Sequence, residues 1–240
     1  DPQSNLSMSQ GIDVENLQDG MYDVLVKALP ITDIVQVREI DVAPAGIELA
    51  GAELALSAMI GRERALQRAL QPVRSQYDYI IMDTPPSLGL LTINAFVAAQ
   101  GVIVPVQCEY LSLRGLAQLT HTMEQVREHL NPDVHIFGIL PTMYDGRTMH
   151  CREAVDVLID NFGDTVFRTR IGKTVRFAEA PVQGKSILAY DPSGQAARWY
   201  RQLAREVLER DGAWTDDLER VRRPVRDVRP QSGPGLRLAS

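Results

Sequence analysis

Short apolar runs, each bounded by Pro, Gly or Asp, alternate along the chain with longer segments of helical periodicity. Three runs, over residues 79–82, 102–106 and 135–140, have the length and the β-branched content of strands that are buried on both faces. Helices are predicted around them over residues 61–75, 88–99, 112–130, 148–161 and 192–209. This alternation predicts an α/β fold with a doubly wound, mostly parallel sheet flanked by helices.

Polar residues at the helix ends and apolar residues along the helix faces refine this pattern. Ser87 is a candidate N-cap for the helix that follows it, and Asp191 or Ser193 for the last helix. The helix over 112–130 has an apolar stripe at helical spacing, which indicates a face turned toward the core. The stripe consists of Leu113, Leu116, Leu119, Met123 and Val126.

One uncharged stretch, residues 84–108, is 25 residues long and therefore long enough to span a bilayer. Three prolines and two glycines interrupt it, with polar amides between them. These breakers favour a turn, a helix and a short buried strand over a membrane span. We therefore expect a water-soluble chain.

Composition and charge narrow the class of protein. The chain has 45% hydrophobic and 23% charged residues, which excludes a wholly disordered, collagen-like or coiled-coil protein. Because the net charge is −6, any contact with nucleic acid would need a local basic patch. The two cysteines, Cys108 and Cys151, form neither a disulfide scaffold nor a four-cysteine zinc motif, and they fit a reducing cytosol.

The composition changes near residue 211, which predicts a domain over residues 1–210 and a tail over 211–240. Residues 218–240 contain six arginines against two acidic residues, together with three prolines and two glycines. This composition is typical of a disordered, solvated tail, and an auxiliary tether for nucleic acid is the alternative. The prolines break any continuous apolar face, which disfavours a lipid-binding helix.

Asp83 directly follows the apolar run over residues 79–82. In open α/β sheets, ligands bind at the carboxyl ends of the strands, and a carboxylate there suits a nucleotide-bound Mg²⁺, held directly or through water. An aspartate also caps many strand-to-helix turns, so this position alone does not decide between the two roles.

Several separated segments together resemble one family. DYIIMDTPPSLGLLTINAF, VPVQCEYLSLRGLAQL, GILPTMYDGRT, VRFAEAPVQGKSILAYDPSGQAARWYRQLAREVL and the opening DPQSN are similar, in the same order, to segments of the ParA/Soj partition ATPases, a branch of the deviant-Walker P-loop proteins. The similarity covers about residues 1–209. Several motifs in the right order are more specific than any single one, and the resemblance implies a P-loop NTPase-like fold.

The resemblance implies a site for ATP and Mg²⁺. Asp1 matches the family aspartate that orients the attacking water, and Asp83 matches the Walker B aspartate that supports Mg²⁺, in our interpretation through water. Thr84 and Pro85, in the switch segment 84–87, would sense the γ-phosphate. The family chain approaches the adenine at the positions of Thr142, Met143, Gly172 and Lys173.

The resemblance also implies partners. Family members form a homodimer around two ATP molecules, the dimer binds DNA without sequence preference, and a ParB-type centromere-binding protein stimulates hydrolysis. Arg147 and Arg176 match positions used for the DNA contact, and Lys185 is a candidate neighbour. Guanidinium groups suit this role because they bind phosphate oxygens bidentately. This predicts a cytoplasmic, nucleoid-associated protein with no stable membrane association.

The sequence departs from the family pattern at two places. The family's glycine loop, KGGVGKT, occurs nowhere in the 240 residues, so an N-terminal strand–loop–helix would be missing. Because phosphoryl transfer depends on that loop, we expect this chain to bind ATP poorly, to hydrolyse it hardly at all and to expose part of its core. Residues 171–174 read IGKT where many relatives read IPRN, and the added glycine should loosen the loop beside the adenine.

Two other functions stay open. The chain could be a non-catalytic binding module that pairs with a complete relative or holds DNA through its arginines. A MinD-like membrane-cycling ATPase is a further interpretation, which the proline-broken tail disfavours. The chain is an ATP hydrolase only if the glycine loop belongs to the complete protein.

Overall fold

The computed structural model describes residues 1–108 and 112–213, with the side chains of residues 112–114 left out. Within these residues the helices are α1 (Asn5–Ser9), α2 (Met21–Val26), α3 (Ala52–Ser57), α4 (Ala65–Leu70), α5 (Leu90–Ala98), α6 (Ser112–His129), α7 (Met149–Phe162), α8 (Arg176–Val182), α9 (Ile187–Tyr190) and α10 (Gln195–Arg210). The strands are β1 (Gln36–Val37), β2 (Asp41–Val42), β3 (Gly101–Gln107) and β4 (His135–Thr142). From residue 214 onward, the tail expected over 211–240 lies outside the described residues.

A parallel sheet lies at the centre of the second half of the chain. β3 pairs with β4 in parallel from Gly101 and His135 to Gln107 and Thr142. Beyond β4, the parallel bridges Ile139–Val166 and Tyr144–Gly172 bring residues 166–172 alongside it. The predicted parallel sheet is therefore confirmed for the runs over 102–106 and 135–140. A separate antiparallel pair, β1 with β2, was not predicted because each of its strands is only two residues long.

Helices cover both faces of this sheet, as the doubly wound arrangement requires. Adjacent residues of β4 point to opposite faces. Ile139, fully buried, packs with Leu116 of α6 and Leu158 of α7. Leu140 packs on the other face in a cluster that α8 and α10 complete through Phe177, Trp199, Leu203 and Val207. Met123 and Val126 of the predicted stripe on α6 are buried as well.

Residues 1–100 have their own core, built from α2, α3, α4 and α5. Leu25, Leu56 and Leu91 are buried together there. Asn94 of α5, fully buried, accepts a hydrogen bond from the backbone N–H of Leu66 at 3.1 Å. Its amide donates to two backbone carbonyls, those of Arg62 at 2.8 Å and Leu90 at 2.9 Å. One buried amide thus ties two helices together without leaving a polar group unpaired.

The strand predicted over residues 79–82 is wrong. These residues pair with no strand among the described residues, although Asp83 and the segment after it stay close to the chain start. Ile81 is 88% exposed and Tyr79 is 45% exposed. Apolar, β-branched composition makes a segment suitable for a sheet, but a strand also needs a neighbour that accepts and donates its backbone hydrogen bonds.

Helix ends differ from the predictions where a glycine or a proline intervenes. The helix expected over 61–75 is a 3₁₀ turn at Arg62–Arg64 followed by α4, which stops two residues before Pro72, since proline lacks an N–H and restricts the residue before it. Ser87 does not cap α5, because α5 begins after Gly89 and the backbone N–H of Leu91 in its first turn donates to the Glu53 carboxylate at 3.4 Å.

The last helix also starts later than predicted. Neither Asp191 nor Ser193 is its N-cap, because a turn closed by the Gly194 N–H on the Asp191 carbonyl, at 3.0 Å, moves the start of α10 beyond Gly194. In the part of the chain that the structure describes, no helix combines the length and the apolarity needed to cross a membrane.

Candidate functional site

Two clefts hold most of the residues singled out from the sequence. The first, the carboxylate cleft, has a volume of about 910 Å³ and is lined by Asp1, Asp83, Thr84 and Pro85. Many apolar side chains and three further carboxylates, those of Glu39, Asp41 and Asp78, complete the lining. The N-terminal ammonium group of Asp1 donates to the carbonyl of Asp83 at 3.1 Å. The structure therefore brings together two motifs that lie 82 residues apart in the sequence.

Local hydrogen bonds fix the segment that carries Asp1. Its carboxylate accepts the backbone N–H of Gln3 at 3.0 Å, and its carbonyl accepts that of Ser4 at 3.1 Å. This is the side-chain-to-backbone turn that aspartate favours. Further on, the buried Ser7 hydroxyl donates to the Ala45 carbonyl at 3.2 Å and accepts the Ala45 N–H at 3.0 Å, which anchors α1 to the rest of the molecule.

The switch segment 84–87 is held from α5. The hydroxyl of Thr92, which is buried, lies 2.6 Å from the carbonyl of Ser87 and 3.5 Å from that of Pro85. Ser87 therefore contributes its backbone carbonyl rather than the side-chain cap that the sequence suggested. The C-terminal end of the segment is therefore attached to α5. Asp83, which precedes the segment, and Pro86, within it, are exposed.

The second cleft, the basic cleft, has a volume of about 700 Å³ and lies between residues 144–147, the edge segment (residues 168–173, which run beside β4) and α10. Its charged lining consists of Arg147, Arg168, Arg170, Lys173 and Asp145. Two hydrogen bonds from the guanidinium of Arg147, at 3.0 and 2.9 Å, hold Asp145, and they lower the pKa of this carboxyl to about 2. The cleft thus carries four cations against one carboxylate.

The cations of the basic cleft differ in their partners. Arg168 donates to Glu209 at 2.8 Å. Arg170 instead lies over the ring of Tyr144, with its guanidinium carbon 4.8 Å from the ring centroid, and donates to the Tyr144 hydroxyl at 2.8 Å. Lys173 is exposed. Arg170 is therefore fixed by an aromatic ring, which leaves its positive charge without an acidic partner among the described residues.

The structure divides the predicted cofactor residues between the two clefts. Gly172 and Lys173 line the basic cleft together with Arg147, whereas Thr142 and Met143 line neither cleft. Thr142 is the last residue of β4, and its carbonyl accepts the N–H of Cys108 at 3.1 Å. Met143 follows in a left-handed conformation with φ of 52°.

The expectation that Gly172 loosens its loop is wrong. The residue is buried and bridged to Tyr144, and the N–H of Ile171 before it donates to the Pro141 carbonyl at 2.9 Å. A Cβ atom at Gly172 would overlap the indole ring of Trp199. The glycine is needed because the tryptophan packs directly against the backbone, and this packing holds the loop in place.

The other two predicted DNA-binding residues lie outside both clefts. Arg176 begins α8, pairs with Glu179 at 2.9 Å and lies 6.0 Å from the ring centroid of Tyr190. Lys185 is exposed and follows Gly184, which has a φ of 60° and approaches Gly11 so closely that a Cβ there would lie 2.9 Å from its Cα. The structure thus brings only Arg147 of the three into the basic cleft.

Sequence reasoning missed Glu206, which positions the edge segment. Its buried carboxylate accepts the backbone N–H groups of Arg168 at 2.8 Å and Thr169 at 2.9 Å, and pairs with Arg210 at 3.0 Å. Burial raises the pKa of this carboxyl, but the N–H donors and Arg210 outweigh it, so the pKa is lowered. The available signal was its place on α10, three residues after the apolar Leu203.

Known proteins match this chain over most of its length. A family model described as an AAA domain matches residues 1–136. The chain is 47% identical over 210 residues to the sporulation initiation inhibitor protein Soj of Bacillus subtilis, covering 86% of this chain and 83% of Soj. It is 42% identical over 214 residues to the chromosome partitioning protein ParA of Myxococcus xanthus, covering 88% of this chain and 76% of that protein.

Among solved structures, cobyrinic acid a,c-diamide synthase from Mycobacterium smegmatis, with bound ADP and magnesium, superposes with a TM-score of 0.69. The two sequences are 38% identical, and the match covers 82% of each chain. The parallel sheet and its flanking helices therefore have the fold of the P-loop ATPases. Together with the family model and the sequence relatives, this shows that the chain belongs to the ParA/Soj family of partition ATPases.

Proposed function

We propose that this chain takes part in chromosome or plasmid partition as an ATP-dependent, DNA-binding switch. The observation that carries the proposal is that Asp1 and Asp83, from two motifs far apart in the sequence, line the same cleft. This brings two carboxylate-bearing residues to one cleft, where an attacking water and a metal-bound phosphate would have to meet.

The donor set of the carboxylate cleft suits Mg²⁺. Asp1, Asp83 and Thr84 offer carboxylate and hydroxyl oxygens, the hard ligands that Mg²⁺ prefers. Asp83 would hold the ion through water, and Asp1 would orient the water that attacks the γ-phosphate. When bound with ATP, Mg²⁺ neutralises negative charge on the phosphate oxygens.

The adenine side of the site would be formed outside the carboxylate cleft, by Thr142, Met143 and the backbone of Gly172 and Lys173, of which the last two line the basic cleft. Thr142 ends β4, and the Tyr144–Gly172 bridge places the end of the neighbouring parallel segment beside it. Ligands of open α/β sheets bind where the carboxyl ends of adjacent strands converge, which supports this assignment.

The 240-residue chain by itself is expected to hydrolyse ATP no faster than background, because its sequence contains no KGGVGKT loop to hold the phosphates. Phosphate release by the purified chain tests this, and sustained turnover of about 1 per second would overturn it. The intact mass of the protein from its native source decides whether the loop exists. A mass above 26.7 kDa by one strand–loop–helix unit would support an active ATPase.

DNA binding belongs to the same proposal. An ATP-bound homodimer would bind nucleoid DNA without sequence preference through Arg147, Arg176 and Lys185, and a ParB-type partner would stimulate hydrolysis. Charge reversal of Arg147 and Arg176 together should weaken binding equally for unrelated duplexes and lower the slope of log affinity against log salt by about two. Fluorescence anisotropy with two duplexes of different sequence measures both effects.

A matched control is a second double charge reversal, which has the same net charge as the Arg147 and Arg176 variant but leaves the proposed DNA contacts intact. Arg74 and Arg127 are exposed and line neither cleft, so their double reversal should change affinity far less. Equal losses of DNA affinity in the two double variants would contradict the assignment, since net charge alone would then explain binding.

A non-catalytic binding module is the second candidate. The basic cleft favours it, because residues 144–202 form that cleft without any contribution from the carboxylate cleft. The same anisotropy measurement separates the two candidates: tighter DNA binding with ATP supports the switch, and equal binding with and without ATP supports the module.

A further inference from the structure

We propose that Cys108 and Cys151 form a redox-responsive pair, which closes to a disulfide when the protein meets a small-molecule disulfide such as oxidised glutathione. The chain contains two cysteines, so only one pairing within the molecule is possible. Both are free thiols in the structure. Neither cysteine lines the carboxylate cleft or the basic cleft, so the pair is a site of its own.

The fold brings the two cysteines together from distant parts of the sequence. Cys108 directly follows β3, and Cys151 lies in the first turn of α7, 43 residues later. The thiol of Cys151 donates to the backbone carbonyl of Cys108 at 3.6 Å, and the two thiols interact electrostatically. Because S–H groups are weak donors, a change of side-chain rotamer can exchange this hydrogen bond for a bond between the two sulfurs.

Hydrogen bonds hold the backbone of both cysteines in place. The N–H of Cys108 donates to the Thr142 carbonyl at 3.1 Å. The N–H of Cys151 donates to the hydroxyl of Thr148, the N-cap of α7, at 3.4 Å, and that hydroxyl donates to the Asp145 carbonyl at 2.9 Å. The two thiols are thus neighbours before any oxidation, which favours closure within the chain over a bond to another molecule.

The two thiols differ in their access to solvent. Cys151 is half-buried, whereas Cys108 is 2% exposed. Burial, together with the nearby Cys151, raises the pKa of the Cys108 thiol to about 11. Since the accessible thiol meets the oxidant, a small disulfide should react first at Cys151. The cation of Arg170 acts against the pKa shift of Cys108 and thereby favours the thiolate that the second step needs.

Closure takes two exchange steps. The Cys151 thiolate attacks one sulfur of oxidised glutathione, forms a mixed disulfide and releases a glutathione thiolate, which takes up the proton that Cys151 gave to solvent. The Cys108 thiolate then attacks the Cys151 sulfur, and the second glutathione leaves as a thiolate that takes up the Cys108 proton. Two cysteine thiols are thereby oxidised, and one glutathione disulfide is reduced to two thiols. An excess of reduced thiol reverses both steps, so the pair stays open in a reducing compartment.

The disulfide would tie the end of β3 to the start of α7. Because it links residues 43 positions apart, it restricts the unfolded chain, and the oxidised protein should unfold at a temperature about 5–10 °C higher than the reduced one. Residues 143–148, which connect β4 to α7, include Arg147. Any effect of oxidation on DNA binding through Arg147 would rest on the function proposed above, whereas the disulfide itself does not.

The test incubates the reduced, purified 240-residue chain with oxidised glutathione and then alkylates the remaining thiols. The intact mass should fall by that of two hydrogen atoms, with neither cysteine alkylated, and a tryptic map should contain the Cys108–Cys151 cross-link. Thermal unfolding with and without dithiothreitol gives the shift in Tm. A persistent glutathione adduct, a disulfide between two chains, two thiols that remain open to alkylation, or an oxidised protein with an unchanged or lower Tm would overturn the proposal.

Two variants serve as controls. Cys151→Ser should form no cross-link and should unfold like the reduced parent, since its hydroxyl can still donate to the Cys108 carbonyl. Cys108→Ala should keep one glutathione on Cys151, because the second thiol is missing. This variant changes a buried residue, and if it does not fold, the parent and Cys151→Ser decide the question alone. A rise in Tm on oxidation of Cys151→Ser equal to that of the parent would contradict the proposal, because the effect would then not come from this pair.

Discussion

Two similar apolar runs, one in each half of the molecule, differ in strand pairing and in burial. In the half that contains β3 and β4, Ile139 lies in a paired strand and is fully buried between helices. In the half before residue 100, Ile81 lies in an equally apolar run and is 88% exposed. The difference lies in the neighbours of the two runs, because a parallel strand becomes stable only when the adjacent strand is in place.

The largest expected effect tests this comparison directly. Ile139→Ala should lower the free energy of unfolding by about 4 kcal/mol, because it leaves a cavity in a packed core. Ile81→Ala removes the same atoms from an exposed position and should change it by less than about 0.5 kcal/mol. Urea unfolding followed by circular dichroism measures both.

A milder substitution at residue 139 keeps the comparison measurable if the Ile139→Ala protein does not fold. Ile139→Val removes one methylene group and should cost about 1 kcal/mol, which keeps the protein measurable. Comparable losses for Ile81→Ala and Ile139→Ala would mean that residues 79–82 are buried in solution, and the contrast between the two halves would fail.

The elements that could be predicted have a clear sequence pattern and also a neighbouring element to pair or pack with. β3, β4, α6 and α7 lie within two residues of their predicted limits, because their long periodic or β-branched segments are paired or packed with one another. The run over 79–82 has the same apolar, β-branched pattern but no neighbouring strand. The fold class could therefore be predicted from the alternation of apolar runs and helical segments, whereas the lack of strand structure in this one run could not.

The candidate site divides in the same way. The resemblance to the family predicted roles for Asp1 and Asp83, and the structure places both residues at one cleft. Glu206 and Asn94 could not be assigned, because each takes its role from backbone groups at least 28 residues away, apart from contacts within its own helix. The pairing of Gly172 with Trp199 is of the same kind, since a small residue has meaning only once its large neighbour is known.

The second prediction concerns Glu206, whose buried carboxylate fixes residues 168–169 in the half that contains β3 and β4. Glu206→Gln should destabilise the protein by about 3 kcal/mol, because it leaves Arg210 without its buried partner and turns an amide N–H₂ toward backbone donors. Glu209→Gln, on the same helix, changes a partly exposed carboxylate and should cost less than about 0.5 kcal/mol.

The pH dependence gives a second readout for Glu206. Its pKa is lower in the folded state, so its contribution is present at pH values above the ordinary glutamate value and is lost as the pH falls through the folded value. Glu206→Gln should therefore show a shallower loss of stability on acidification than the parent. A parallel loss in both proteins would mean that other carboxylates cause it.

The smallest expected effect links the two halves. The hydroxyl of Tyr79, in the unpaired run, donates to Asp211 at the end of α10 at 2.6 Å, and this bond raises the pKa of Tyr79 to about 12. Tyr79→Phe should lower stability by only about 0.5 kcal/mol, since Tyr79 is 45% exposed and water can replace the bond. Locally, amide hydrogen exchange over residues 79–82 should become faster.

Tyr200 provides the control for this last comparison, because it is 42% exposed like Tyr79 but lies edge-on to Phe177. Tyr200→Phe should leave exchange over residues 79–82 unchanged. The Tyr79 bond needs a protonated phenol, so its contribution is present below the ordinary tyrosine pKa and is lost as the pH rises through about 12. A loss of several kcal/mol in Tyr79→Phe would contradict this account, since a single exposed bond cannot supply it and residues 79–82 would then have to be part of a packed sheet.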